Sequence, residues 1–524
     1  MQEVFNATSP TARHQRAAKK RRFLPDTFLY ALLLLAGIRA LSLATVQMPF
    51  NGWDELPHIA VGYFVYKTGH MPTPRTPMPR ELVPFITAHP HPTASLSMLR
   101  GIAAVPYPGN NPACGIEPPR RFDMFLYEAQ HGPLYYHLMA PLLTGSDPES
   151  LLAWVDLARV INIALLLGTL FLWHRILRHV VFEGRLSWLP NGVLLLLVSF
   201  SYTFYNAVRF ANDALALFLA TVALAIYFFW IKPRGNARGR LWRLTLLGGV
   251  TGLAVLAKAT SLTLLPVFGL ALLYECLRQR PLRPRRIALC GLIAFALGYT
   301  AIAGPYHIEC LTQYGQLTGM QEAVANGRRG FGLLKLLSAA GHLGYGLFRN
   351  PIVYNSTLHL AGWSNLTSPD WINLAFKTAL TCCVLALGLG LRRKDARQIA
   401  GDLLRAAPEL PLLTAASALA LFYHALHSTV RWGLPTTGAW YGMLSQPVFF
   451  LLLLLGPALC SKKASAYCLL FLAILCNFAY MDGTYNVLLT QETGLASYYG
   501  AIKRVAAHHA LLRQDLHPFL VAEA

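Results

Sequence analysis

The sequence predicts an all-α polytopic membrane protein of about eleven transmembrane helices, and three observations carry that reading. Hydrophobic residues make up 55% of the 524-residue chain and charged residues only 13%, against roughly 25% charge in a soluble domain. Apolar runs of about 20 residues, enough to cross a hydrocarbon layer, recur along the whole length. Lys and Arg gather in alternate connections between those runs, as they do in loops retained on the cytoplasmic side.

In chain order the spans are expected at 24–46, 151–174, 189–208, 211–231, 243–257, 261–276, 286–304, 371–391, 409–427, 440–459 and 464–482. The runs 243–257 and 261–276 are short for two crossings, which leaves a re-entrant hairpin as the alternative. One membrane domain thus occupies 24–482, between a basic tail at 1–23 and a second tail at 483–524. The segment before the first run is long and basic and no small-residue cleavage site follows it, so the first span is expected to stay in the mature chain.

The N-terminal tail and the connections at 175–185, 232–243, 278–286, 392–405 and 462–463 hold more than half of the 45 basic residues. By alternation these all share one side, which puts the N-terminus in the cytoplasm and two long loops, roughly 47–150 and 305–370, outside. The net charge of +21 is therefore spread over membrane-flanking loops. Anionic lipid headgroups are its expected partner, and nucleic acid is not, because no basic groove interleaved with aromatics is present.

The nine cysteines show no metal-type spacing. Cys114 and Cys310 are the two expected to face outside, where a disulfide between them is open. The Pro-rich stretch 71–119 reads as irregular and extended, and no internal repeat is visible.

Asp54 and Glu55, just past the first span, concentrate the chemical interest. Adjacent carboxylates at a membrane mouth are where an enzyme would keep a base. Leu56, Ile59, Ala60, Tyr63 and Phe64 then recur at helical spacing, so an amphipathic helix is expected along the outer membrane surface. The plainer reading of Asp54 is an N-cap, with Glu55 and Pro57 in the first turn. A cap also holds a carboxylate rigidly, so the two roles are compatible.

The same loop ends in Tyr127-Glu128-Ala129-Gln130-His131-Gly132-Pro133-Leu134-Tyr135-Tyr136, where the aromatics read as interfacial anchors. Lys258, between two short apolar runs, is costly in lipid unless it meets an anion or snorkels to the interface. Arg209 and Asp213 stand at i, i+4, and Asp156 and Arg159 at i, i+3. The second pair is expected to be structural, and Arg39 is expected to snorkel.

Taken in order, Asp54-Glu55, Pro57-His58, the His131–Tyr136 segment, Arg209-Phe210-Ala211-Asn212-Asp213, and Leu256-Ala257-Lys258-Ala259-Thr260 ahead of Leu264-Leu265-Pro266 resemble the GT-C-fold membrane glycosyltransferases. That group includes the protein O-mannosyltransferases and the lipid A aminoarabinose transferases, which take a sugar from a polyprenyl phosphate. The likeness covers about the first 270 residues, and the remainder matches only in hydropathy. Where such enzymes often carry a Gly-Arg-Tyr-type segment, this chain has Ala439-Trp440-Tyr441, with Arg431 the nearest substitute cation in that loop.

The resemblance implies an inverting hexosyl- or pentosyltransferase at the outer face of a bacterial inner membrane. Its donor would be a polyprenyl-phosphate-linked sugar and its acceptor a lipid, a glycan or a protein. Asp54 and Glu55 would be the catalytic pair, Asp54 as the base and Glu55 positioning it or the acceptor. Lys258, Arg209 and Arg431 would hold the donor phosphate, and His58, His131, Tyr135 and Asp213 would contact substrate. No cofactor is required. A divalent metal stays open because His58, His70, His89, His91 and His131 bring five of the 17 histidines to one loop, although they lack ligand spacing. A transporter with broken helices and a catalytically inactive GT-C-like scaffold are the competing readings.

Overall fold

The structure is a computed structural model that describes residues 27–46, 54–82, 126–181, 186–200, 207–233, 237–278, 282–320, 370–432 and 439–492, with a few isolated positions besides. Its regular elements are all helical. They are α1 (Thr27–Val46), α2 (Glu55–Thr68), α3 (Leu134–Met139), α4 (Pro148–Val180), α5 (Leu189–Ser199), α6 (Asp213–Ile226), α7 (Ala237–Ala257) and α8 (Leu264–Arg278). After these come α9 (Leu282–Tyr314), α10 (Asp370–Gly390), α11 (Lys394–Ala406), α12 (Glu409–Trp432), α13 (Gln446–Cys460) and α14 (Lys462–Glu492). Among the described residues nine helices are long and apolar enough to cross a membrane, or ten if α10 and α11, bent by 107°, count as one span. The chain is an all-α polytopic membrane protein.

Not all eleven expected spans are met. Among the described residues of the run 189–208 the apolar helix is α5, 11 residues long, which at ~1.5 Å per residue covers about half of a hydrocarbon layer. Polar Ser201, Tyr202, Thr203 and Asn206 interrupt the apolar run there. The short pair is met as two separate helices, each longer than its apolar run. Gly239–Ala257 and Ala259–Leu277 are each 19 residues long and meet at Lys258, whose extended backbone (φ −157°, ψ 133°) ends one helix and opens the next. Two crossings, not a hairpin, fit these lengths.

Buried apolar residues form two principal cores. The larger runs through the bundle and includes Trp173, Phe204, Phe228 and Leu454. The second sits at one end, where Leu56, Ile59 and Tyr63 of α2 meet Phe85, Leu126, Tyr135, Tyr136, Trp154, Phe210 and Ala257. This second core fixes the first long loop onto the ends of α4, α6 and α7. It also overturns the surface placement expected for α2, because Glu55 through Tyr63 are all buried. A helix can be buried on its polar side only where polar partners wait, and Arg159 and Tyr136 supply them for Glu55 and His58.

Arg39 does not snorkel. Its Nη1 donates to the Val198 carbonyl at 2.9 Å, at the end of α5, and its guanidinium lies 4.0 Å from the centre of the Tyr480 ring. The end of a short helix offers carbonyls without intrahelical partners, which a charged donor inside the bundle satisfies. Cys310 is buried and free, while Cys114 lies outside the described residues. Residues 1–26, the stretch 86–125 with His89 and His91, most of the second long loop and the tail beyond 492 lie outside them as well.

Candidate active site

The chain enters α2 through Asp54, which stands at the N-cap with φ 54° and ψ 14°. It is the one non-glycine residue of positive φ among the described residues. A left-handed conformation costs a non-glycine residue about 1–3 kcal/mol, less for Asp and Asn than for most. The carboxylate makes no side-chain capping bond, so the capping role read from sequence is corrected. It accepts instead a hydrogen bond from the Tyr127 hydroxyl. Asp54 keeps a partly exposed face although protein surrounds it on most sides. Burial, and then the Glu128 carboxylate, push its carboxyl up to about 7, against the opposing pull of Tyr127, Arg209 and Lys258.

Glu55 is directed elsewhere. Fully buried, it accepts a two-point fork from Arg159, at 3.1 Å from Nε and 3.0 Å from Nη2. It also accepts the Phe210 backbone N–H at 2.7 Å. These bonds tie α2 to α4 and to the segment entering α6, so Glu55 is held in the frame by contacts of its own. Asp156, the partner expected for Arg159, is 3.8 Å away and 59% exposed, a weak companion beside the buried fork.

Asp213, the first residue of α6, joins two cations. Lys258 Nζ lies 2.6 Å from Oδ1 and Arg209 Nη2 lies 2.7 Å from Oδ2. The i, i+4 pairing of Arg209 and Asp213 read from sequence is present, but snorkelling of Lys258 is not, since Lys258 is buried. Two cations share one carboxylate. Backbone carbonyls near both cations are held by amides that sequence reasoning passed over. Asn162 donates to the Arg209 carbonyl at 2.8 Å, and Asn212 donates to the Ala257 carbonyl at 2.8 Å, next to Lys258.

Between these groups lies a third cluster. His58 Nδ1 is 2.7 Å from the Tyr136 hydroxyl, and its Nε2 is 3.5 Å from Glu128 Oε2, which His131 Nε2 approaches to 2.8 Å. Tyr135 is buried and packs edge-on against Phe210, its hydroxyl accepting from Asn162 at 3.2 Å. The expected substrate contacts therefore divide. His131 and Asp213 border the partly open region, whereas His58 and Tyr135 belong to the buried frame. Glu128, Tyr127 and Tyr136 were missed as functional residues although they flank His131 in sequence. The Glu128-x-x-His131 spacing was the available signal. Arg431 lies in the final turn of α12, and its side chain is outside the described residues.

The first loop docks onto the Lys258 turn at Gly132. A Cβ built there would overlap the carbonyl oxygen of Leu256, so only glycine permits the approach. Beside the turn a cleft of about 340 Å³ has Lys258, Asp213, Thr260, Ser261 and Tyr441 at its polar part and Leu217, Ala220, Met443 and Leu444 along its apolar part. Lys258 Nζ stands 5.7 Å from the Tyr441 ring centre. Trp440 replaces an expected Arg, but the neighbouring Tyr441 still reaches the cation.

Among the described residues no cluster of three His, Cys, Asp or Glu side chains offers a metal-binding arrangement. The two histidines beside Glu128 both present Nε2 to its Oε2.

No protein-family model matches the chain. No curated protein matches it by sequence. Solved structures of the Archaeoglobus fulgidus oligosaccharyltransferase are similar to it. The apo form shares 14% identity over 89% of this chain and 57% of that one, with a TM-score of 0.45. The form in complex with an inhibitory peptide and a dolichol-phosphate shares 14% identity over 89% and 56%, with a TM-score of 0.44. A third, tethered to an acceptor peptide containing the NVT sequon, shares 12% identity over 91% and 59%, with a TM-score of 0.43. The chain thus spans 56–59% of the length of these proteins.

Proposed function

We propose that this chain is an inverting membrane glycosyltransferase of GT-C type, moving a sugar from a polyprenyl phosphate to a hydroxyl of a lipid, glycan or protein acceptor. The observation that carries the reading is electrostatic. A partly open carboxylate with a raised affinity for protons, Asp54, lies within the field of two buried cations, Lys258 and Arg209, that share Asp213.

The chemistry follows from those two parts. The acceptor oxygen attacks the anomeric carbon and a new C–O bond forms there as the bond to the phosphate oxygen breaks. Asp54 takes the acceptor proton, and the electron pair of the broken bond leaves with the lipid phosphate. A base is most effective when its pKa lies near the working pH. The departing phosphate needs no proton from a general acid. It needs fixed positive charge as its own charge grows, and Lys258 and Arg209, both held by Asp213, are preorganised to supply that. The adjoining cleft, polar at Lys258, Thr260 and Ser261 and apolar along Leu217, Ala220 and Leu444, suits a phosphate carried on a hydrocarbon tail. No cofactor is required for these steps. With the basic loops cytoplasmic, the site opens at the outer face of the membrane, as expected for a bacterial inner membrane.

The test is reconstitution of the full chain with a synthetic polyprenyl-phosphate sugar, following release of polyprenyl phosphate and gain of mass on candidate acceptors. Mass spectrometry of the purified protein should also find a co-purified polyprenyl phosphate. Movement of a labelled solute across the bilayer with the donor left intact would assign the chain to transport instead.

A further inference from the structure

Tyr127 and Glu128 are successive residues of one 3-10 turn, Tyr127–Gln130. Tyr127 puts its hydroxyl on Asp54, while Glu128 is 3% exposed and takes no part in the transfer chemistry described above. A buried carboxylate carries a desolvation penalty that its surroundings must offset. Here two imidazoles face it, His131 at 2.8 Å and His58 at 3.5 Å. Their rings lie stacked with centres 6.1 Å apart.

His58 sits one turn below Asp54 in α2, its backbone N–H bonded to the Asp54 carbonyl at 3.2 Å. Burial lowers its imidazole to about 3, which keeps it neutral. The Tyr136 hydroxyl at Nδ1 then acts as donor and Nε2–H faces Glu128. The other tautomer would set a lone pair against the carboxylate. Burial opposes ionisation of Glu128, yet the two imidazoles facing it and the hydrogen bond from His131 hold its carboxyl below the usual carboxylate range. Of the groups acting on Asp54, Tyr127, Arg209 and Lys258 favour its ionised form, and Glu128 is the charge that opposes them.

We propose that Glu128 is a positioning residue for proton transfer: clamped by His131 and His58, it fixes a negative charge behind Asp54 that makes Asp54 the stronger base. The inference rests on Asp54 being the base. With Glu128 neutral, two nearby cations would leave Asp54 ionised but reluctant to accept a proton.

The experiment is labelling of the purified full chain with dicyclohexylcarbodiimide, which couples to protonated carboxyls, across about pH 5–9, with each site read by peptide mass spectrometry. In the parent, Asp54 should label with a midpoint near 7. In Glu128→Gln that midpoint should fall by about one unit or more, while Glu128→Asp, which keeps the charge, should leave it near the parent value. An unmoved Asp54 midpoint in a folded Glu128→Gln protein overturns the proposal. So does labelling of Glu128 itself in the parent at neutral pH, an outcome that needs no variant to fold. Because labelling requires no turnover, its result stands apart from any failure to detect sugar transfer.

Discussion

Lys258 Nζ lies 2.6 Å from one oxygen of Asp213, and Arg209 Nη2 lies 2.7 Å from the other. All three side chains are buried. Removing Lys258 leaves Asp213 paired with Arg209 but deletes a buried charged hydrogen bond, typically worth about 1.5–3 kcal/mol. Lys258→Met should therefore lower thermal stability as well as turnover, by an amount on the order of ~2–4 kcal/mol in the rate if the ammonium holds the departing phosphate. Lys258→Arg should keep part of the activity, because charge survives while its geometry differs. Transfer from a synthetic donor, normalised to folded protein, is the measurement. Parent-level turnover in the Met variant would remove the phosphate role.

Asp54→Asn should reduce transfer by roughly 10²–10⁴-fold, the usual contribution of a general base. Its melting temperature should change little, since Asn tolerates the left-handed backbone at φ 54°. The base works ionised and its carboxyl is raised to about 7. Hence kcat/KM of the parent should rise with pH through about 7 and level off above it. A profile that stays flat from weakly acid to weakly alkaline pH would show that another group takes the proton.

Gly132→Ala should separate the first loop from the Lys258 turn. The added methyl would overlap the Leu256 carbonyl oxygen, and neither backbone can yield without moving Asp54's partner turn or the end of α7. A loss of about 2 kcal/mol or more in stability, with a matching loss of transfer, is expected. Thermal unfolding followed beside the transfer assay checks it.

Glu55→Gln should behave as a framework lesion. It removes the charge facing the buried Arg159 fork, at a cost of about 3–5 kcal/mol. Were Glu55 the base, the variant would lose turnover while melting like the parent, so calorimetry and kinetics on one sample tell the two apart.

Topology can be probed at two described, exposed positions. A single cysteine at His70 should react with an impermeant maleimide from outside the cell, and one at Asp395 only after the membrane is opened. The reverse pattern would put Asp54 in the cytoplasm and end the outer-face reading.

Much of the bundle was legible in the sequence because a spanning helix satisfies its own backbone, so its presence depends on local composition alone. Lys258, Arg209 and Asp213 stood out for a related reason: charge near lipid is costly wherever it falls. The length of α5 was not legible, since hydropathy reads Leu189 through Val208 as one run while the described helix ends at Ser199.

The sequence alone marked two adjacent carboxylates at the start of α2 and the isolated charges Lys258, Arg209 and Asp213. Only the tertiary structure decided which carboxylate does what. Asp54 and Glu55 are neighbours with equal claims until Arg159, 104 residues away, takes Glu55 into the frame and Tyr127, 73 residues away, holds Asp54 at the open face. The same holds for Glu128, whose charge is maintained by His58, far from it in the chain. A carboxylate's basicity is set by the burial and charges around it, and those are assembled by contacts between distant segments that no local pattern encodes.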